Sequence, residues 1–281
     1  MSTATTHPAS TSSTASTATL KPRSRNPLSQ RGFKRLLAAE TKVWARDRAN
    51  IFWALLFPSV MLAMNGLGAE GFATEPVDVP YGHHFYGLTI LQIVLPMMIV
   101  MAACLPFVSM MPVTFGSFRE KGVLKRFSGS PMRPGTLILT HYLINLVGVL
   151  GGVAVVLTVT GIVWGIAIPV NFAVVILGFV LATLVMASIG TLVASRVAKG
   201  TVANAIGMIV FFALIIAGGG FGNMLMNETF MNFARFTPFG AAGFIMEAGW
   251  FGGAFPVAET LALVGWVVVF APLGVKLFRW R

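Results

Sequence analysis

Charged and aromatic side chains alternate between Pro112 and Pro134, in the segment PVTFGSFREKGVLKRFSGSPMRP. The apolar residues are spaced for a short amphipathic helix, and Glu120 is an acid among five nearby cations. Charges of both signs beside aromatic anchors are the chemistry that orients a protein partner. A positive loop lying at a membrane surface and setting topology is the alternative. Because the segment is too polar to cross a bilayer, we predict a cytoplasmic loop.

Other polar side chains lie inside apolar stretches, where they are costly in hydrocarbon and usually face protein or water. These residues are Asn65, Gln92, His141, Asn145, Asn204 and Glu259. We expect His141 and Asn145, one helical turn apart, to hydrogen-bond between helices, since no third metal ligand is suggested. We expect Glu259 to reach toward lipid headgroups, with contact to a translocating cation as the alternative. The adjacent His83 and His84 make a weak metal case, so we predict neither a catalytic nor a metal site.

The composition indicates a membrane protein. Hydrophobic residues make up 56% of the 281 residues and charged residues only 10%, whereas a soluble domain carries about a quarter charged residues. The net charge of +11 could suggest nucleic acid, but the cations flank apolar runs and form no single stripe, so no nucleic-acid partner is predicted. The single cysteine, Cys104, excludes an internal disulfide and a thiolate metal cluster.

The positions of Lys and Arg predict the orientation, because basic loops resist translocation across the membrane. Nine cations lie from Lys21 to Arg48, five from Arg119 to Arg133, two at Arg196 and Lys199, and three from Lys276 to Arg281. Only Arg235 lies in an outer loop. We therefore predict a multi-pass protein of the bacterial inner membrane with both termini in the cytoplasm.

A helical span needs about 20 mostly apolar residues, and six such helices fit the uncharged stretches. They are predicted near 51–68, 86–111, 136–162, 171–195, 201–220 and 257–276. The predicted fold is an all-α polytopic membrane protein with six transmembrane helices. It also has an N-terminal interfacial helix and a re-entrant outer helical hairpin before the last span.

The residues before the first span divide into two parts. Residues 1–30 are mostly Ser, Thr, Ala and Pro, and we predict a disordered cytoplasmic tail, with an organelle transit peptide as the alternative. In residues 31–50, Phe33, Leu37 and Trp44 recur at helical spacing among cations. We predict a helix in the cytoplasmic headgroup layer that contacts lipid, with an ordinary cytoplasmic helix as the alternative.

The outer loop near 218–252 is long and apolar, with many Phe and Met residues. A re-entrant pair of short helices dipping into the outer leaflet fits this composition, and the glycines at 218–220 would break the fifth span. The Met and Phe surface suits a hydrophobic solute, and simple packing in lipid is the alternative.

The run from Phe118 to Pro131, FREKGVLKRFSGSP, followed by Pro134 and a span, resembles the signature loop of ABC-2 type export permeases, the membrane subunits related to daunorubicin-resistance exporters. The matching residues are Glu120, Gly122, Leu124, Lys125, Arg126, Ser130 and Pro131. The resemblance takes in Glu40 and Arg48 of the amphipathic helix, and it covers roughly residues 31–281.

The resemblance implies an exporter subunit whose coupling segment docks on a separate ABC ATPase. The coupling residues would be Phe118, Arg119, Glu120, Lys121, Gly122, Leu124, Lys125, Arg126 and Phe127, and the interfacial helix would use Phe33, Leu37, Glu40, Trp44 and Arg48. Two ATPase copies would hold ATP and Mg, beside a second permease that is identical or homologous. No GxxxxGK[ST] string occurs here, so we expect no enzyme activity and no cofactor in this chain.

The resemblance also implies outward movement of a hydrophobic or amphipathic solute, such as a drug, antibiotic, lipid or glycolipid. Candidate pathway or outer-gate residues are Asn145, Phe221, Met224, Phe236, Pro238 and Glu259. A competing function is an ion-coupled secondary transporter or channel through Glu259, His141 and Gln92, although ion coupling normally needs more embedded acids. A membrane enzyme acting on lipids is a third candidate, but no cluster of His, Asp or Glu appears for it.

Overall fold

The computed structural model describes residues 30–61, 75–76, 78, 86–128, 134–163, 165, 168–220 and 228–278. Helices dominate these residues, and no strand is present among them beyond an isolated bridge between Pro76 and Thr89. We number the helices α1 Gln30–Trp44, α2 48–61, α3 Ile90–Glu120, α4 Val123–Ser128, α5 Pro134–Val163, α6 Phe172–Arg196, α7 Gly200–Ala217, α8 Glu228–Ala234, α9 Pro238–Phe251 and α10 Val257–Leu277. The predicted all-α class is confirmed.

Five of the described helices, α3, α5, α6, α7 and α10, are long and apolar enough to cross a membrane. Each coincides with one of the last five predicted spans. The first predicted span, near 51–68, is described only as far as residue 61 and is helical there. The six-span count therefore remains a prediction, and residues 1–29 of the predicted tail lie outside the described residues.

The central helix α3 is longer than the span predicted near 86–111. It begins with a capping box in which the amide of Thr89 donates to Oε1 of Gln92 at 3.0 Å. It then continues to Glu120 through a π-helical turn at Pro106–Met110, where the amide of Met111 donates to the carbonyl of Pro106. Pro106 has no amide to donate, and the wider turn lets the helix pass this point. The first residues of the predicted loop 112–134 are thus helical.

Four of the longer helices pack around α3. Helices α6, α7 and α9 pack along it, α5 also contacts it, and α10 packs on α6 and α9. Close approach depends on small residues: a Cβ on Gly207 of α7 would lie 2.7 Å from the Cα of Ser109 in α3. The Ser109 hydroxyl donates to Oδ1 of Asn204 at 3.3 Å nearby. Small residues allow this contact in lipid, where no hydrophobic effect drives helices together.

The outer faces of the bundle are apolar. Val147 of α5 is 64% exposed, Ile209 of α7 69% and Val268 of α10 65%. The most apolar stretch of α3 is mostly buried, whereas that of α10 is mostly exposed. A chain that turns such faces outward is an integral membrane protein, because water would not tolerate patches of this size.

We predict that Gly207→Ala separates α7 from α3 and lowers the free energy of unfolding by about 1–3 kcal/mol, the usual cost of overpacking. Thermal unfolding of the purified protein in detergent measures this. Gly265→Ala in α10 is the matched control, because a Cβ there meets no atom within 4 Å. It should leave stability unchanged or raise it by about 0.5–1 kcal/mol through helix propensity. Equal destabilisation by both substitutions would contradict the close contact.

Candidate functional site

Arg119 at the end of α3 caps the end of α6. Its guanidinium donates to the carbonyl of Ala194, to that of Val197 at 2.7 Å and to that of Ser195 at 3.4 Å. The last carbonyls of a helix have no partner within the helix, and a cation there also meets the negative end of the helix dipole. Arg119 therefore ties the end of α3 to the end of α6.

Glu120, the next residue, lies at the start of α7. Its Oε2 accepts from the amide of Gly200 at 3.4 Å, where the first amides of α7 are free and the helix dipole is positive. The preceding Lys199 supplies no side-chain cap. The backbones are close as well, since a Cβ on Gly116 would lie 2.8 Å from the Lys199 carbonyl oxygen. We call Gly116, Arg119, Glu120 and residues 194–200 the clasp.

An aromatic cluster lies beside the clasp and joins three helices. The centre of the Phe115 ring, in α3, lies 5.1 Å from the ring centre of His141 in α5. It lies 5.3 Å from the ring centre of Phe278, which follows α10. Phe118 lies 5.4 Å from His141, and the Arg119 guanidinium lies 5.1 Å from the centre of the Phe278 ring. These edge-on ring contacts and the cation–π contact couple α3 to α5 and α10.

Helix α1 contacts this cluster through Glu40. Its Oε2 lies 4.0 Å from Nε2 of His141, which is buried and makes no hydrogen bond within the described part of the chain. Burial raises the pKa of the Glu40 carboxyl. Glu40 shares a half-buried face of α1 with Phe33, Leu37 and Trp44, whereas Arg48 is exposed, and α1 packs on α5. Whether α1 also lies in the headgroup layer stays a prediction.

Some of the predicted coupling residues contact the rest of the chain, and others are exposed. Phe118 and Arg119 make contacts within the chain, and Leu124 is fully buried. Gly122 has a φ of +68°, which a glycine adopts readily in the turn after α3. Lys121 and Lys125 are exposed. The side chains of Arg126 and Phe127 lie outside the described residues.

The exposed charges around the clasp form a mainly basic surface. Lys121 and Lys125 follow α3, Arg196 is the last residue of α6, and Lys199 precedes α7; Glu120 is the acid that ends α3. Sequence reasoning found the first two cations as part of the coupling segment. It missed that Arg196 and Lys199 join them, because 70 residues and two spans separate the two loops along the chain.

A second set of charges lies at the other end of α10. Glu259 is only 2% exposed, and its Oε1 accepts from Nε of Arg235 at 2.6 Å and also from Nη2. Glu259 thus pairs with Arg235 instead of reaching headgroups. The Arg235 guanidinium also lies 5.7 Å from the ring centre of Phe244. Sequence reasoning missed this role of Arg235, although its position as a lone basic residue in an outer loop was a usable signal.

Residues 236–240, with the sequence FTPFG, contain the start of α9 at Pro238. The amide of Gly240 donates to the Thr237 hydroxyl at 3.1 Å, and Pro238 occupies the first turn, where its missing amide costs nothing. The carbonyl of Phe236 accepts from the Trp266 indole at 2.9 Å. The two helices α8 and α9 lie where the outer hairpin is predicted, and their re-entry into the membrane stays a prediction.

The remaining pathway candidates do not converge. Gln92 caps the start of α3, whereas His141 packs on Phe115 near the other end of α3. The two positions are about 35 Å apart along that helix, at 1.5 Å per residue. Asn145 donates to the His141 carbonyl of its own helix at 2.8 Å, and among the residues that the structure describes it makes no bond to another helix. Phe221 and Met224 lie outside the described residues, as do Asn65, His83 and His84.

The comparisons place the chain in a family. A family model described as ABC-2 type transporter matches residues 31–242, and the chain belongs to that family. The matched residues run from α1 into α9 and contain the whole clasp. The family domain is a membrane permease and not a nucleotide-binding domain, and it associates with an ABC ATPase subunit. Comparison with curated protein sequences gives no match.

We predict that Arg119→Gln loosens the last turn of α6, because three carbonyls lose a charged donor. A hydrogen bond to a charged group contributes about 1.5–3 kcal/mol, so amide hydrogen exchange in residues 190–203 should speed up at least about tenfold. Mass spectrometry of exchanged peptides measures this. Lys121→Gln removes an exposed cation nearby and serves as control. Unchanged exchange in Arg119→Gln would rule out the cap.

We predict that His141→Phe is tolerated and raises the thermal unfolding midpoint. The imidazole packs against two phenyl rings, and its buried Nε2 makes no hydrogen bond to the residues that the structure describes. His141→Ala should instead lower the free energy of unfolding by about 2–5 kcal/mol through the cavity that it leaves. Thermal unfolding of both variants in detergent tests this. If His141→Phe destabilises as much as His141→Ala, the imidazole has a polar role.

Proposed function

We propose that this ABC-2 family protein is the permease subunit of an ATP-driven exporter of the daunorubicin-resistance type. It moves a hydrophobic or amphipathic solute, such as a drug, antibiotic, lipid or glycolipid, from the cytoplasm or inner leaflet outward. ATP and Mg are bound and consumed by a separate ABC ATPase. The observation that supports this most is the clasp, since it connects the predicted docking segment to the helices that must move.

The clasp explains how a docked partner could act on the bundle. A conformational change follows binding only if the partner contacts the two states of the bundle differently. A partner that displaced Lys121 or α4 would also displace Arg119 and Glu120, which lie within one helical turn. The displacement would be passed to α6 and α7 through the hydrogen bonds of the clasp, and to α5 and α10 through the aromatic cluster.

The basic surface indicates the chemistry of the docking cleft. Lys121 follows Glu120 in the chain and Lys199 precedes the Gly200 amide that Glu120 contacts, and both cations are exposed, so a complementary ATPase cleft would be mainly acidic with a cation opposite Glu120. Residues from two cytoplasmic loops would then contact one partner. Such a cleft would sense the spacing of α3, α6 and α7.

The topology belongs to the same proposal. Six spans, with both termini in the cytoplasm of a bacterium, put the clasp inside and the Arg235–Glu259 pair outside. Helices α8 and α9 would be the re-entrant hairpin at the outer exit, and α1 would lie in the inner headgroup layer. The exposed apolar faces of α5, α7 and α10 leave room for lipid and for a second permease, identical or homologous, which two ATPase copies would serve.

The test is charge reversal at Glu120. Glu120→Lys would place a cation against the amide end of α7 and oppose a cation of the partner. We expect it to abolish co-purification with the ABC ATPase co-expressed from the nearest reading frame, and to abolish stimulation of that ATPase by the permease in liposomes.

Glu75→Lys is the matched control, because Glu75 is an exposed acid of the first predicted outer loop. Lys121→Glu, at an exposed side chain outside the clasp, should weaken the same association while the unfolding midpoint stays unchanged. Unaltered ATPase binding and unaltered ATP-dependent export in Glu120→Lys would overturn the coupling role.

A further inference from the structure

A carboxyl and an imidazole face each other where α1 packs on α5. Oε2 of Glu40 lies 4.0 Å from Nε2 of His141, which is about 1 Å longer than a hydrogen bond. The imidazole nitrogen is buried and makes no hydrogen bond to the residues that the structure describes. A buried polar atom without a partner is costly, so a small approach of the two side chains would satisfy an atom that is unsatisfied at this distance.

The surroundings of the pair are apolar. The side chain of Glu40 is 18% exposed and that of His141 6%, and the rings of Phe115 and Phe118 lie against the imidazole. A charge withdrawn from water in such a place is costly. The pair is therefore most stable when neither group is charged, with the protonated carboxyl donating its O–H to Nε2.

The other charged or titratable groups nearby are engaged elsewhere or exposed. Helix α5 contains no Asp, Glu, Lys or Arg, and the hydroxyl of its Tyr142 bonds to that of Thr183. Arg119 and Glu120 of α3 bind the ends of α6 and α7. The remaining cations, among the described side chains of α1 and of this end of α10, are exposed: Lys34, Lys42 and Lys276.

The packing of α1 on α5 also binds a proton more tightly. Burial raises the pKa of the Glu40 carboxyl above its ordinary value of 4.5, and undocking of α1 would return the carboxyl to water and its pKa to that value. A group whose pKa is raised in the packed state contributes its full stabilisation below its ordinary pKa and loses it as the pH rises through the raised value. Docking of α1 is therefore strongest below pH 4.5 and weakens above it.

We propose that Glu40 and His141 form a proton-dependent latch between α1 and α5. The latch closes to a hydrogen bond when Glu40 is protonated and opens when Glu40 is ionised, and the separation of 4.0 Å is the open form. The latch lies beside the clasp, because Phe115 and Phe118 contact the same imidazole. An effect of the latch on ATPase coupling rests on the proposed function, whereas the latch itself does not.

The latch can be measured by amide hydrogen exchange on the full chain alone, without ATPase or ATP. The protein is kept in a neutral detergent between pH 4.5 and pH 8, and each rate is corrected for the pH dependence of an unprotected amide. We expect the protection of residues 33–44 to fall several-fold as the pH rises over this range. Residues 176–190 of α6 are the internal reference, and their protection should stay constant.

Two substitutions separate the proton from the packing. Glu40→Gln cannot ionise, and its amide can still donate to Nε2, so α1 should stay as protected at pH 8 as the unaltered chain is at pH 4.5. His141→Phe keeps the ring packing but removes the acceptor, and it should lower the protection of α1 at pH 4.5 by about two- to tenfold, the worth of one hydrogen bond. The gain in unfolding midpoint expected for His141→Phe belongs to pH 8, where the latch is open.

Lys42→Gln is the matched control, because it removes an exposed charge from the same helix. It should show the pH dependence of the unaltered chain.

Protection of α1 that does not change with pH in the unaltered chain, or that keeps its pH dependence in Glu40→Gln, would overturn the inference. Equal protection of the unaltered chain and His141→Phe at pH 4.5 would exclude the imidazole as the partner. A pH dependence seen only in phosphatidylglycerol vesicles, and not in detergent, would assign it to lipid charge and also overturn the latch. Failure of the coupling proposal is distinguishable, since Glu120→Lys tests it with the ATPase present and the latch is measured without it.

Discussion

The structure depends on how the backbone amides and carbonyls at the junction between α6 and α7 find hydrogen-bond partners. One helix ends and the next begins within a few residues, so free carbonyls and free amides lie close together. Neighbouring side chains of α3 meet both: Arg119 donates to the carbonyls of α6, and Glu120 accepts from the first amide of α7. Two adjacent residues of opposite charge thus hold three helices at one point, and α3 cannot shift along its axis without breaking these bonds.

The two ends of the bundle use charge differently. At the clasp, charged side chains meet backbone dipoles and remain partly exposed, so a partner can reach Glu120 and the cations around it. At the other end, Arg235 and Glu259 pair with each other, and Glu259 is buried. Breaking a buried pair leaves an uncompensated charge. The second pair therefore fixes the start of α10 against α8 and α9, while Phe278 fixes its other end against Arg119.

This arrangement makes α10 a connection between the ends. Glu259 belongs to its first turn and Phe278 follows its last, so α10 is held by Arg235 at one end and contacts Arg119 at the other. Helix α10 packs along α6, which the clasp also holds. Both α6 and α10 therefore contact the end of α3 and also extend to the opposite end of the bundle.

Two features follow from local sequence: the apolar length of the spans and the amphipathic face of α1 with Phe33, Leu37 and Trp44. These depend on neighbours along the chain, so periodicity and composition predict them. Helix α3 extends beyond the apolar stretch that predicts the span, and Phe115 and Arg119 in this extension contact α5, α6 and the residue after α10. The partners of Arg119, Glu259 and Arg235 were decided by the tertiary structure alone. Pairing across 75 or 24 residues depends on which helix ends meet. The lone basic position of Arg235 in an outer loop signals that it has a special role, but it does not identify Glu259 as the partner.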